Sequence, residues 1–336
     1  MIEDELRASF ARHEFQAPRV GPLRRAIDRL AARRRRRRLL LRTGSAAALV
    51  LVALIAVPLG LRPGPAMTML QPLYPSSDLA PTGPLNVVLI GLDPYPDQAT
   101  DRPRADTIIL AHLTADRQRA YLISFERDLA VDIPGFGTDK INTAYVDGGA
   151  PLVATVVSSL TGVPVNGTVT VNLSALAQIV DTLGGLPLCQ PVAVTSIHTG
   201  RTFPVGCYQL DGAGVTDLVR QRLGYPTGGY FRDRVVQGVL ISLLRKVVLI
   251  DIGQLAALTR VDGVDIDLPF SPVSLALAAK DLGADDVLGF GQPSFDPVGT
   301  NERLDPEVAP ELFAALRSET LDDFAVRHPD WLVTNH

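Results

Sequence analysis

The sequence predicts an α/β domain, a layered α-β-α sandwich around a mixed central sheet, preceded by one transmembrane helix. Three observations predict it. From Leu85 onward, short apolar runs rich in branched residues alternate with longer segments of helical periodicity, the pattern of a layered domain. Residues 43–61 contain no charged side chain, and as helix they reach about 28 Å, close to the thickness of a hydrocarbon core. Charge is split across that stretch: residues 1–42 hold 13 arginines against 5 acidic residues, a balance of +8, so a chain of net charge −4 carries −12 over residues 43–336.

The elements follow in order. Residues 1–42 are expected to be a cytoplasmic basic tail, because Arg33 to Arg38 and Arg42 lie directly before the apolar stretch and positive charge stays inside. Residues 43–61 are the expected single-pass span into the lipid bilayer; a cleaved signal peptide fits less well, with 42 residues in front and Pro58 near its end. Beside a span, the arginine run is a topology signal and a contact for anionic headgroups, so no nucleic-acid partner is expected. Residues 62–84, with Pro63, Pro65, Pro72, Pro75, Pro81 and Pro84, read as a semi-rigid linker. Residues 85–316 form the expected extracytoplasmic domain, and 317–336 a C-terminal tail.

Within the domain, 85–92 reads as a buried strand delivering Asp93 at its end. Residues 107–113 and 119–125 read as two strands joined by the polar loop 114–118. That hairpin brings Asp106 close to Arg127, and a first strand beside the third brings Asp93 to the same edge, where ligands of helix-covered sheets bind. Helices are expected over 151–160, stopping at Gly162, over 173–183 with Asn172 as cap, over 211–220, 232–249, 272–280 and 307–316. The helix over 232–249 carries an apolar stripe through Val236, Val239, Leu240, Leu243 and Val247. Strands are expected over 167–171 and 285–290. Cys189 and Cys207, the two cysteines of the chain, fall in a segment that reads as a strand pair in an oxidising compartment, so a disulfide is expected.

Charged residues at strand mouths carry the functional signal: Asp93, Arg104, Asp106, Arg127 and Asp128. Carboxylates and arginines together fit a metal ion with a phosphorylated ligand, since magnesium takes one or two carboxylates plus phosphate oxygens and guanidinium forks grip phosphate. The chain has 29 arginines and 3 lysines, so position is the evidence and residue type is not. The five histidines show no zinc spacing, and no GxSxG or Walker-type loop is present.

Those stretches resemble the LytR-CpsA-Psr family, whose anchored extracytoplasmic domains attach lipid-linked anionic glycopolymers to the cell wall. The resemblance is carried by Asn86–Asp93, Arg104–Thr107, Leu122–Asp128, Asp132–Gly137, Lys140–Tyr145 with Gly148 and Gly149, Val180–Gly185, and Leu210–Gly212 running to Val219–Arg222. It implies a phosphotransferase moving a glycopolymer phosphate from a polyprenyl-pyrophosphate carrier to a peptidoglycan hydroxyl. It implies Mg2+ held by Asp93 and Asp106, and arginines 104, 127, 220 and 222 on the pyrophosphate. The family usually continues with a helix opening on two arginines and then a glutamine pair. Here the stretch is Arg232-Asp-Arg-Val-Val-Gln237: either Arg232 or Arg234 fills the first basic slot, Val235 stands at the second, and Gln237 alone remains of the pair. Asp106, Asp93 and Asp128 are the candidate bases, with Arg127 in the catalytic set. Two other readings stay open, a polyprenyl-pyrophosphate hydrolase and a non-catalytic binder of wall polymer. A polyprenyl tail also needs an apolar slot, for which the helices over 151–160, 173–183 and 236–249 are candidates.

Overall fold

The structure, a computed structural model, describes residues 82–93, 103–221, 225, 229–247, 257–258, 261–270, 282–291, 294–295 and 301–333. The basic tail, the span over 43–61, nearly all of the linker, Arg222 and the helix expected over 272–280 lie outside the described residues. Among the described residues no helix is long and apolar enough to cross a membrane.

The expected strands form at β1 (Leu85–Leu92), β2 (Ala105–Leu113) and β3 (Ala120–Phe125). A short hairpin follows, β4 (Ala130–Ile133) with β5 (Gly137–Lys140). Helix α1 (Thr143–Thr161) starts eight residues before the expected 151, and Gly149, at φ 67° and ψ −162°, breaks it where Pro151 removes a backbone donor. It stops at Gly162, in the left-handed conformation at φ 73°. β6 (Gly167–Asn172) runs into α2 (Leu173–Thr182), capped as expected by the Asn172 side chain accepting from the Ala175 N–H at 2.8 Å.

β7 (Leu186–Gln190) and β10 (Gly206–Leu210) pair antiparallel, and the disulfide Cys189–Cys207 joins directly opposed positions on them. The segment between carries β8 (Val194–Thr195) and β9 (Thr202–Phe203). α3 (Gly212–Val219) is capped by Asp211, and α4 (Gly229–Val247) follows. β11 (Val264–Asp267) comes next, and β12 (Val287–Gly291) starts two residues later than expected because 284–286 form a 3-10 turn. β13 (Ser294–Phe295) pairs with β14 (Arg303–Leu304) before α5 (Val308–Ser318), α6 (Leu321–Arg327) and β15 (Leu332–Val333).

One sheet of seven strands runs in the order β11-β6-β1-β2-β3-β12-β15. It is mixed: β1–β6 and β3–β12 pair parallel, the other neighbours antiparallel. The expectation that β1 runs beside β3 is corrected, since β1 pairs with β2. Being antiparallel to β2 on either side, β1 and β3 still end at the same edge. The expected tail over 317–336 is also corrected. α6 packs Leu321 and Phe324 into the core, and β15 pairs with β12 as the last strand.

Alternation along the strands sorts the core into two layers. Leu85, Ile109 and Leu122 face α2, α3 and α4. Val88, Ile90, Leu110 and Ile123 face α1, α5 and α6. The α-β-α sandwich expected from the sequence is therefore present.

Candidate active site

β1, β3 and β6 all point their C-terminal ends at one edge, and β2 begins there. Antiparallel pairing sets Leu92 opposite Ala105, so Asp93 and Asp106 arrive together from opposite strand directions. The Asp93 N–H donates to the Arg104 carbonyl at 3.3 Å, which closes this end of the ladder. The strands are crowded here: a Cβ on Gly91 would sit 2.9 Å from the Thr107 Cβ. Arg127, just past β3, donates from Nη1 to Asp106 Oδ1 at 2.6 Å, as the hairpin geometry requires.

A cavity of about 570 Å³ opens at this edge. Its polar lining includes Asp93, Asp106, Thr107, Arg127, Arg220 and Arg232. Its depth is apolar, running between the sheet residues Leu89, Ile109, Val169 and Val171 and helix residues from α2 and α4. Val236, Val239, Leu240 and Leu243 are the α4 side of that wall, the stripe read from the sequence. Of the three candidate helices for an apolar slot, α1 is corrected: it packs on the opposite face of the sheet.

The guanidinium of Arg232 is both buried and at the cavity wall. Its Nη2 donates to Asp233 Oδ1 at 2.9 Å and lies 3.7 Å from Glu126 Oε2. Burial works against the Arg232 charge, yet Asp233 and then Glu126 more than offset it, so its pKa is raised. Burial, opposed by Arg232 and reinforced by Glu126, pushes the Asp233 carboxyl far above the usual carboxylate range. One cation faces two buried carboxylates here, and the raised pKa of Asp233 is the result.

The two candidates for the basic slot sit in different surroundings. Arg232 lines the cavity, whereas Arg234 is exposed and donates to the Asp330 carbonyl at 2.7 Å. Arg220 reaches the cavity from the C-cap of α3. Gln237, expected on the pyrophosphate, is not part of the cavity lining. One position past Val236 on the helix, it turns to the sheet, donating from Nε2 to Ser124 Oγ at 2.5 Å and to the Phe290 carbonyl at 2.8 Å. Asp128 is outside the cavity lining and accepts from Lys140 Nζ at 3.0 Å. Arg104 is exposed at the rim strand and outside the lining too.

Sequence reading missed Glu126 and Asp233, for which no local signal exists, since their partnership is made only by packing α4 on the sheet edge. It also missed Ile197 and His198, which line the cavity from the loop between β8 and β9. Asn172 was read as a helix cap and is also part of the lining.

Known proteins resemble this chain in sequence and in fold. The chain is 33% identical over 165 residues to the polyisoprenyl-teichoic acid–peptidoglycan teichoic acid transferase TagU of Enterococcus faecalis, covering 49% of this chain and 54% of that protein. It is 29% identical over 160 residues to the probable cell wall biosynthesis protein LcpB of Corynebacterium glutamicum, covering 44% and 38%. The chain thus spans about half the length, or less, of these curated relatives. Among solved structures, B. subtilis TagV superposes with a TM-score of 0.60 at 18% identity over 72% of this chain and 98% of that one. TagT bound to LIIa-WTA superposes at 0.59 and 21% identity, over 71% and 91%. Both share the fold. The profile of the LytR_cpsA_psr family matches residues 68–264, well over half of the chain, and the chain belongs to that family.

Proposed function

We propose that this chain is a membrane-anchored phosphotransferase that moves a glycopolymer phosphate from a polyprenyl-pyrophosphate carrier to a cell-wall peptidoglycan hydroxyl, assisted by Mg2+. The observation that carries the reading is the joining of two chemistries in one cavity. A mouth of carboxylates and guanidiniums leads directly into an apolar channel, the shape of a ligand with a charged head and a hydrocarbon tail. TagU, the relative at 33% identity, is a polyisoprenyl-teichoic acid transferase by name. The disulfide supports an extracytoplasmic site, with the N-terminus inside and residues 43–61 in the bilayer.

The donor set fits magnesium. Asp93 and Asp106 line the same mouth, and two carboxylates completed by phosphate oxygens and water are its usual protein contribution. Arg127 donates to Oδ1 of Asp106, and Asp93 and Asp106 are the residues that would hold the ion. Bound there, magnesium would supply charge neutralisation on the phosphoryl oxygens. Arg127, Arg220 and Arg232 orient the pyrophosphate by charge-assisted hydrogen bonds, and the apolar channel keeps water off the leaving group. The acceptor oxygen forms a bond to the phosphorus nearer the sugar. The bond from that phosphorus to the bridging oxygen breaks, and polyprenyl phosphate departs with the electron pair. With Asp93 and Asp106 committed to the ion, the hydroxyl proton leaves to solvent at the cavity mouth. Most of the catalysis is positioning and charge stabilisation.

The test is turnover of a lipid-pyrophosphate sugar by the full-length chain with Mg2+ and a glycan acceptor. Polyprenyl phosphate is expected to be released only with acceptor, and Arg127→Ala and Asp106→Ala are each expected to lose more than about 100-fold. Retained turnover in both variants would overturn the site. Release as fast into water as onto glycan would make the protein a hydrolase, and bound lipid without turnover would make it a binder.

A further inference from the structure

Ile197 and His198 line the same cavity as Arg220 and have no part in the chemistry above. Ile197 is 60% exposed. A single exposed isoleucine needs no explanation, but this one stands on a loop held with unusual thoroughness. Ser196 Oγ donates to Asp217 Oδ1 at 2.6 Å, and Thr199 Oγ1 donates to Asp217 Oδ2 at 2.5 Å. Gln221 Nε2 donates to Ser196 Oγ at 2.9 Å, while the Ile197 N–H donates to Gln221 Oε1 at 3.2 Å. The His198 and Thr199 N–H groups both turn onto Ser196 Oγ, at 3.0 and 3.1 Å. Ser196, Asp217 and Gln221 are all buried.

Asp217 lies one helical turn before Arg220, and Gln221 directly follows it. The helix end that presents Arg220 to the cavity therefore also fastens the loop that presents Ile197 and His198. The β8–β9 pair closes the base of that loop, and the disulfide closes the larger segment that contains it. A fully satisfied buried polar network fixes a loop in one conformation, and a loop ordered in advance gives up little entropy when it binds.

We propose that Ile197 and His198 form a preorganised rim that recognises the junction between hydrocarbon and diphosphate in the donor. Ile197 covers the first carbons of the isoprenoid as they leave the apolar channel. His198 donates a ring N–H to a phosphate oxygen next to Arg220. An apolar side chain and a donor on adjacent residues of a rigid loop favour a molecule in which both parts are covalently joined over either part alone. This assignment rests on the cavity being the donor site and deepens that reading by naming what selects the donor.

The experiment compares binding of farnesyl pyrophosphate and of inorganic pyrophosphate, with Mg2+ present, to the full-length chain and to Ile197→Ser and His198→Ala. Both side chains are exposed, so the variants fold. Ile197→Ser is expected to bind farnesyl pyrophosphate about tenfold more weakly, the factor that roughly 50 Å² of covered apolar surface provides, and inorganic pyrophosphate unchanged. His198→Ala is expected to weaken both about fivefold. Tight wild-type binding of farnesyl pyrophosphate that neither substitution alters would overturn the rim and leave the donor site standing. Equal loss of both probes in Ile197→Ser would overturn the assigned role of Ile197. Absence of wild-type binding to farnesyl pyrophosphate would overturn the donor reading and the rim together.

Discussion

Arg127 reaches Asp106 at 2.6 Å across 21 residues of chain, because β2 and β3 are the arms of one hairpin and Ile108 stands opposite Phe125. Their side chains are 24% and 26% exposed, so the pair contributes under about 1 kcal/mol to stability. Its value is positional, holding one carboxylate oxygen and leaving the guanidinium facing the cavity. Arg127→Ala and Asp106→Asn are therefore expected to shift the chemical-denaturation midpoint little. Each should cost more than about 100-fold in turnover, and the double variant should cost no more than either alone. Additive losses in the double-mutant cycle would show that the two residues do not act as a unit.

Arg232 and Arg234 stand two positions apart on α4 with opposite consequences. Arg234→Ala removes an exposed bond to a carbonyl and is expected to change stability by less than about 0.5 kcal/mol with turnover intact. Arg232→Ala strands Glu126 and Asp233 in the interior and is expected to cost about 3–5 kcal/mol. Arg232→Lys keeps the charge, and the cost to folding should then be small while turnover falls at least tenfold, because an ammonium lacks the fork. Wild-type turnover in Arg232→Lys would remove Arg232 from the phosphate site.

His112 gives the fold an acid-sensitive point outside the site. It is 1% exposed, and its Nδ1 lies 2.7 Å from Asn86 Oδ1. Burial, reinforced by Arg117, lowers its pKa from 6.5 to about 4. The folded state holds this ring neutral while the unfolded chain takes a proton below 6.5. Its contribution is therefore present above pH 6.5 and lost as pH falls towards about 4, with a total on the order of 3 kcal/mol. His112→Asn should flatten the pH dependence of unfolding over that window, and an unchanged slope would rule His112 out as its source.

The disulfide closes a loop of sequence separation 18, worth about 3 kcal/mol by restricting the unfolded chain. Cys189→Ser with Cys207→Ser is expected to lower stability by about that amount and to make unfolding insensitive to reductant. The β8–β9 loop keeps its own hydrogen bonds to Asp217 and Gln221, so farnesyl pyrophosphate binding measured below the unfolding transition should change less than twofold.

Much of this was readable from local pattern. β1, the β2–β3 hairpin and the Asn172 cap depend on neighbours a few residues away, and they form where their residues dictate. The Asp106–Arg127 meeting was readable too, because a five-residue polar loop allows one simple pairing. Gln237 was not. Its neighbour Val236 lines the cavity while Gln237 faces Phe290, and only the rotation of α4 against the sheet decides which of two adjacent residues faces the cavity.

The sequence by itself determined the alternation of strands and helices, the pairing of Cys189 with Cys207 and the edge at which Asp93, Asp106 and Arg127 gather. These follow from periodicity, capping and short-loop geometry, which are properties of contiguous chain. Tertiary structure alone decided that β1 lies against β2, that residues after 317 complete the sheet, and that Arg232 faces the cavity with Glu126 and Asp233 behind it. Those outcomes turn on packing between separate segments, from β1 against the neighbouring β2 to Arg232 against Glu126, where burial and charge balance are set jointly and neither segment carries the answer.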